Sequence, residues 1–137
     1  MNDAIGPSAV LDASALLALI RHEPGADRVR SAVDEGAVIS VVNWAEVLAN
    51  LVIGSRDPHE VTTMALPGGP GTRLQLAPFD DEQARETARL VRYTRSLGLS
   101  LADRVALALG ELRRLRVLTT DHAWRSLKLP IKIEVIR

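Results

Sequence analysis

The sequence predicts an α/β fold, a mainly parallel sheet with helices on both faces, and three observations carry that expectation. Short apolar runs alternate with helical segments along the whole chain. In the stretch SAVLDASALLALI, Ser8 to Ile20, the buried-strand run Ala9-Val10-Leu11 stops at Asp12 and passes at once into Ala/Leu-rich helical sequence. The same syntax returns late in the chain, where Arg116-Val-Leu-Thr119 leads through Thr120 to Asp121 and a short helix. In an open parallel sheet the ligand crevice lies beyond the carboxyl ends of the strands, where the strand order reverses. Both acids are therefore expected on one rim, with the first strand central.

The elements follow in order. A helix over Ala13 to Arg21 runs into His22-Glu23-Pro24-Gly25, a turn by its proline and glycine, and a second helix over Ala26 to Glu35 ends at Gly36. Val38 to Ser40 is a short strand. In the helix over Asn43 to Ile53, Trp44, Ala45, Val47, Leu48, Leu51 and Val52 cover most of the circumference, which predicts burial. Asn43, Glu46 and Asn50 share one narrow polar stripe on it. Gly54 to Pro58 reads as a turn, Glu60 to Leu66 as a short helix and Pro67 to Thr72 as a surface loop. That loop divides no domains, since neither half would have its own core, so residues 1–137 are expected to form one domain.

Leu74 to Ala77 alternates as a strand, placed at an edge. A long helix from Asp80 to Leu97 is expected to turn Ala84, Ala88, Val91 and Leu97 inward until Gly98 stops it. Ser100 to Arg114 is the next helix, and between Leu99 and Gly110 only Ser100, Asp103 and Arg104 are polar. Arg116 to Thr119 is a strand, a short helix holds Trp124, and Ile131 to Ile136 alternates as a last, edge-like strand.

Composition narrows the function classes. Hydrophobic residues at 47% and charged residues at 25% are globular proportions. The absence of cysteine excludes a disulfide framework and a thiolate metal site, as fits a reducing cytoplasm. The longest apolar run, Ala13 to Ile20 with Ser14 inside it, falls far short of the ~20 residues that span a bilayer. The flank MNDAIGPS lacks the positive charges of a signal peptide, so a soluble cytoplasmic protein without a membrane partner is expected.

Net charge is zero, from 17 basic and 17 acidic residues, so a polyanion would need a local basic patch or bound cations. The basic residues are 15 arginines and only two lysines, Lys128 and Lys132, which suits phosphate forks and suits codon bias equally well. Aromatics at 3% offer no stacking platform for bases.

Four acids stand at positions that raise a chemical question, and each also has a plain structural reading. Asp12 and Asp121 sit where helix N-caps sit, a role worth typically ~1 kcal/mol. Glu46 lies on a stripe that could face water, bonded sideways to Asn43 or Asn50, or could face a polar cleft. Ser100-Leu-Ala-Asp103 fits a capping box, yet the next neighbours of Asp103 on its face are Ala106, Leu107 and Gly110. An acid there is kept neutral, paired with Arg104 or another arginine, or neutralised by a metal. Four converging carboxylates repel, and oxygen-only ligation points to Mg²⁺ or Mn²⁺. His22, His59 and His122 have no paired spacing for zinc.

VLDASALLALI with Asp12, NWAEVL with Glu46, GLSLADRVALALG with Asp103 and VLTTDHAW with Asp121 resemble the four acidic motifs of PIN-domain ribonucleases. The Leu-Ser-Leu-Ala-Asp and Leu-Thr-x-Asp wording is most similar to bacterial VapC-type toxins of toxin-antitoxin pairs, over nearly the whole chain and in the expected order. The resemblance implies an α/β/α sandwich with a central mainly parallel sheet, a divalent metal in an acidic cleft and endonucleolytic cleavage of RNA. It assigns the acidic cleft to Asp12, Glu46, Asp103 and Asp121, and supporting hydroxyls to Ser14 and Thr119. It also implies a cognate antitoxin partner and self-association into dimers.

The inferred reaction is metal-assisted phosphodiester hydrolysis, with in-line attack by water, a 5′-phosphate product and no need for the 2′-hydroxyl. Asp12 and Asp103 are expected as direct ligands, and Asp121 and Glu46 as ligands directly or through water. Arg85, Arg89 and Arg92 share one helix face that could grip substrate, but a solvated face with Glu82–Arg85 and Glu86–Arg89 pairs is favoured. The alternative function is a non-catalytic RNA-binding or protein-interaction module on the same fold, its acids acting as caps and salt-bridge partners. A metal-dependent phosphatase of doubly wound fold ranks below both, because Ser14 rather than an acid stands two residues after Asp12.

Overall fold

In this computed structural model, which describes residues 6–54 and 73–137, five strands form one sheet. They are β1 (Ala9–Leu11), β2 (Ala37–Ser40), β3 (Leu74–Ala77), β4 (Arg116–Thr119) and β5 (Ile133–Val135). Every pairing is parallel, and the spatial order is β3-β2-β1-β4-β5. The helices are α1 (Ala13–Ile20), α2 (Ala26–Glu35), α3 (Val41–Ile53), α4 (Asp81–Arg89), α5 (Val91–Thr94) and α6 (Leu101–Arg113), with 3₁₀ turns at Arg95–Leu97 and His122–Ser126. No helix among the described residues is long and apolar enough to cross a membrane.

The strands are short, and β1 and β2 are buried along their whole length because both faces of the sheet are covered there. Ala9 and Leu11 of β1, with Ala37 and Ile39 of β2, pack toward α1 and α2. The alternate residues Val10 and Val38 pack toward α6, Leu90 and Trp124. The result is an α/β/α sandwich with β1 at its centre, as the sequence predicts. Chain order runs outward from β1 to β3 on one side and then crosses to β4 and β5 on the other. The order therefore reverses between β1 and β4, and the register Leu11↔Leu118 brings their carboxyl ends level.

Three sequence expectations need correction. The helix predicted over Asp80 to Leu97 is broken at Leu90, where Thr94 Oγ1 donates to Leu90 O at 2.9 Å. A threonine hydroxyl bonding back to the preceding turn competes with the helical ladder and bends it. Its inward face is also rotated by one position. Gln83, Thr87, Leu90 and Thr94 are buried, while Ala88 and Val91 are exposed and Ala84 and Leu97 only half-buried.

The apolar circumference of α3 likewise does not mean full burial. Asn43, Val47 and Leu51 face inward, whereas Val52 and Ile53 are 59% and 83% exposed. The proposed helix over Glu60 to Leu66 and the loop over Pro67 to Thr72 lie outside the described residues.

Candidate active site

Asp12 follows β1 directly and caps α1, its Oδ1 accepting from the backbone N–H of Ala15 at 2.8 Å. The N-cap reading is thus correct, but it accounts for one of the two carboxylate oxygens. Thr119, at the end of neighbouring β4, donates its hydroxyl to Asp12 Oδ2 at 2.6 Å, and Ser14 donates to Oδ1 at 2.7 Å. Those hydroxyls are themselves held, Thr119 Oγ1 by the N–H of Asp121 at 3.1 Å and Ser14 Oγ by the N–H of Thr120 at 3.0 Å. A closed network therefore ties the two central strand ends together around one carboxylate.

Asp12 is only 4% exposed, and burial pushes its carboxyl up from 3.8 to about 6. The three donors from Thr119, Ser14 and Ala15 pull the other way, and the negative charge of Asp103 adds to the rise. Asp103 bears in the same sense on Glu46, whose carboxyl is raised by partial burial first and by Asp103 second, with the Asn43 amide opposing. Asp103, on α6, thus bears both on Asp12 after β1 and on Glu46 of α3.

Local sequence explains how α3 and α6 come to face each other at this rim. Ser40 caps α3, so the helix begins at the carboxyl end of β2, and buried Asn43 donates Nδ2 to Ala102 O on α6 at 2.9 Å. The capping box is realised in full: Ser100 Oγ accepts from Asp103 N–H at 3.1 Å, and Asp103 Oδ2 accepts from Ser100 N–H at 2.9 Å. Asp121 is exposed and caps the 3₁₀ turn, its Oδ1 accepting from Ala123 N–H at 2.9 Å.

The sequence profile of the PIN domain matches residues 9–129. The chain belongs to the PIN domain family. Solved structures carry the same architecture at low identity. A toxin-antitoxin complex from Klebsiella pneumoniae aligns with a TM-score of 0.66 at 19% identity, covering 92% of this chain and 100% of that one. Mycobacterium tuberculosis VapC20, described as a Sarcin-Ricin loop cleaving toxin, aligns at 0.70 and 14%, covering 88% and 97%. A member of the VapBC family of toxin-antitoxin systems from the same organism, VapBC-5, aligns at 0.56 and 25%, covering 96% and 99%. Among curated proteins no sequence matches.

In this PIN domain the pairing of Asp103 with Arg104 does not occur. Arg104 Nη1 donates instead to Leu99 O at 3.0 Å, and among the described residues no salt bridge includes Asp12, Glu46, Asp103 or Asp121. Among the described residues negative charge therefore gathers at the rim without a cation paired to it, and the ligand atoms are all oxygen, which suits a hard divalent ion. Among the described residues no three acidic or histidine side chains close around a common ion position, Asp103 and Asp121 each having an oxygen engaged at its own helix start. Mg²⁺ accepts that arrangement, since it keeps several waters and needs one or two carboxylates.

Asn43 was legible as part of a polar stripe but not as the buried tie between helices, because the burial of one polar residue depends on which element covers it. The arginines of α4 are taken up by acids. Arg85 pairs with Asp81 at 2.7 Å, not with Glu82, and Arg89 bridges Glu86 at 2.6 Å and Glu111 at 2.8 Å.

Proposed function

We propose that this PIN domain, taken over residues 1–137 as one nuclease unit, is a metal-dependent endoribonuclease and the toxin of a type II toxin-antitoxin pair of VapC type. The observation that carries the reading is Asp12, a buried carboxylate at the strand-order reversal, fixed by Thr119 and Ser14, facing the charge of Asp103 with no protein cation beside it among the described residues. Similarity to toxin-antitoxin structures and to a Sarcin-Ricin loop cleaving toxin supports the choice of RNA and of an antitoxin partner.

Asp12 and Asp103 would hold Mg²⁺ or Mn²⁺ directly, with Glu46 and Asp121 engaged directly or through water. A divalent ion bound there supplies Lewis acidity toward a phosphate oxygen and lowers the pKa of bound water. The residues of the chain do the positioning. Ser14 and Thr119 lock the plane of the Asp12 carboxylate, and Asn43 sets the spacing between Glu46 on α3 and the N-terminus of α6. In this reading Glu46, more basic than an ordinary glutamate, would accept the proton of the attacking water. The water oxygen bonds to phosphorus as the bond to the 3′-oxygen breaks, and that oxygen takes a proton from solvent, leaving a 5′-phosphate and a 3′-hydroxyl.

Purified protein incubated with structured RNA and Mg²⁺ or Mn²⁺ is expected to produce discrete fragments ending in 5′-phosphate. Chelation, Asp103→Asn and Glu46→Gln should each lower the rate by at least about 100-fold, the scale of a lost ligand or general base. Undiminished cleavage in chelator or in Asp103→Asn would overturn the proposal.

The caps themselves favour a second reading, a non-catalytic RNA-binding or protein-interaction module, because Asp12, Asp103 and Asp121 all complete helix starts. Mn²⁺ titration separates the two: binding that disappears in Asp12→Asn and Asp103→Asn belongs to the nuclease.

A second copy of the chain is the proposed occupant of an apolar groove between α4 and α6. Its cavity of about 370 Å³ is lined by Phe79, Ala84, Ala88, Val91 and Leu101, and Ala84, Ala88 and Val91 belong to the stripe that the sequence placed inward. Val91 is 36% and Leu101 62% exposed, a patch whose cover removes apolar area from water. Val91→Asp and Leu101→Asp should therefore convert dimers to monomers in light scattering with the circular dichroism unchanged. Dimers that persist in both variants would place the interface elsewhere. The cytoplasm is the proposed location, where such a nuclease meets its RNA and its antitoxin.

A further inference from the structure

An RNA strand brings its phosphates to a rim that is itself negative, so cations must meet it close by. Most segments that reach this rim supply none among the described residues. β1 leads into Asp12-Ala13-Ser14, β2 into Val41-Val42-Asn43 and β3 into Pro78-Phe79-Asp80. Arg104 of α6 is turned to Leu99 O, and Arg137, after β5, pairs with Glu23 at 3.3 Å.

The connection from β4 to β5 is the exception. Residues 122–133 hold Arg125 and the chain's only lysines, Lys128 and Lys132, with no acid among them, in a chain whose net charge is zero. Packing turns all three cations outward. Trp124 is fully buried, and Leu127, Leu129, Ile131 and Ile133 pack against the same core, which leaves the residues between them to solvent. Arg125, Lys128 and Lys132 are exposed, and among the described residues none takes part in an ion pair. In the 3₁₀ turn His122–Ser126, which Asp121 caps, side chains three apart eclipse one another. His122 and Arg125 therefore stand in one exposed column that starts beside Asp121. Val117 N–H donates to Lys132 O at 2.9 Å, which sets Lys132 beside the start of β4, so the cations run from the acidic rim to the opposite one.

We propose that this strip, Arg125, Lys128 and Lys132 with His122 at its head, is the track on which the phosphates of the substrate RNA lie as the strand crosses the acidic rim. The choice of RNA rests on the nuclease reading, and the position of the track rests on the exposed and unpaired cations. Contacts of this kind go to the backbone and hold the strand without reading its sequence. Trp124, the one aromatic residue of the connection, is buried and offers no stacking face to a base.

Fluorescence anisotropy of the full chain with a labelled single-stranded RNA, in chelator so that none is cut, reads the track apart from the chemistry. The logarithm of the binding constant is expected to fall with the logarithm of salt concentration with a slope of about −2, roughly −0.7 for each of three phosphates. Arg125→Gln, Lys128→Gln and Lys132→Gln should each remove about 0.7 of that slope and weaken binding about threefold, equally for two RNAs of unrelated sequence. Arg30→Gln, which deletes the same charge from an exposed position on α2 across the sheet, should change neither. In Mg²⁺ the triple variant should raise KM for cleavage by at least about tenfold and leave kcat unchanged. A native chain that binds no RNA, a slope indifferent to the three variants, or an equal loss in Arg30→Gln would each overturn the proposal. Tighter binding of polyglutamate than of RNA would overturn it too and assign the strip to an acidic protein. Binding that responds as expected, with no cleavage in Mg²⁺ or Mn²⁺, would support the track and sink the nuclease reading instead. Because the three cations are exposed, their variants remain folded, as circular dichroism would verify.

Discussion

Asp12→Asn is expected to lower RNA cleavage by about 1000-fold while making the metal-free protein more stable at neutral pH. The first effect follows from removing a charged ligand worth several kcal/mol at the proposed reaction centre, each 1.36 kcal/mol being tenfold in rate. The second follows from the sign of the pKa shift. Burial raises the Asp12 carboxyl from 3.8 to about 6, against the pull of Thr119, Ser14 and Ala15, so the folded chain binds this proton more tightly than the unfolded chain does. Stability from this group is full below about pH 4 and is lost as pH rises through about 6, an expected loss on the order of 3 kcal/mol.

An asparagine of the same shape carries no charge to bury: its Oδ1 keeps the Ala15 N–H and Ser14 donors, and its amide donates to a Thr119 hydroxyl turned to accept. Urea unfolding in chelator at pH 5 and pH 8 should therefore show a steep fall for the native sequence and a flat profile for Asp12→Asn. Added Mn²⁺ should restore the native protein at pH 8 and leave the variant unmoved. A variant that is both less stable at pH 8 and indifferent in cleavage would remove Asp12 from the proposed site and contradict the burial argument at once.

Gly110→Ala is expected to destabilise the fold by about 2–3 kcal/mol, against the direction that helix propensity alone predicts. In an exposed helix interior alanine is favoured over glycine by roughly 1 kcal/mol. Gly110 is instead buried on α6 against the sheet, where an added Cβ would overlap Val117 Cγ2 and approach Leu115 O at 3.1 Å and Ile131 Cδ1 at 3.4 Å. Leu115 O is backbone, held by the turn in which Leu115 N–H bonds Gly110 O at 2.9 Å, so it does not yield cheaply. Overpacking costs typically about 1–3 kcal/mol, occasionally more, and here it outweighs the propensity gain. The midpoint of urea unfolding reads the effect directly, and a midpoint at or above that of the native sequence would show that α6 can move away from β4.

Local pattern reaches far into this protein. The run Ala9-Val10-Leu11-Asp12 and its echo at Val117 to Asp121 contain the central parallel strands, their helix starts and the rim on which both acids sit. The capping box at Ser100 to Asp103 needs only residues three apart, so it too is legible and is built as written. What tertiary structure alone decides is which face of an element finds a partner. Asp12 could be any N-cap until Thr119, 107 residues away, donates to its second oxygen. Asn43 becomes a tie only because α6 arrives beside α3, and the Ala84–Ala88–Val91 stripe ends on an outer groove because Leu90 and Thr87 occupy the inward side. Periodicity records that a face is apolar, whereas burial is a property of two surfaces, and the second one is supplied by residues distant in the chain.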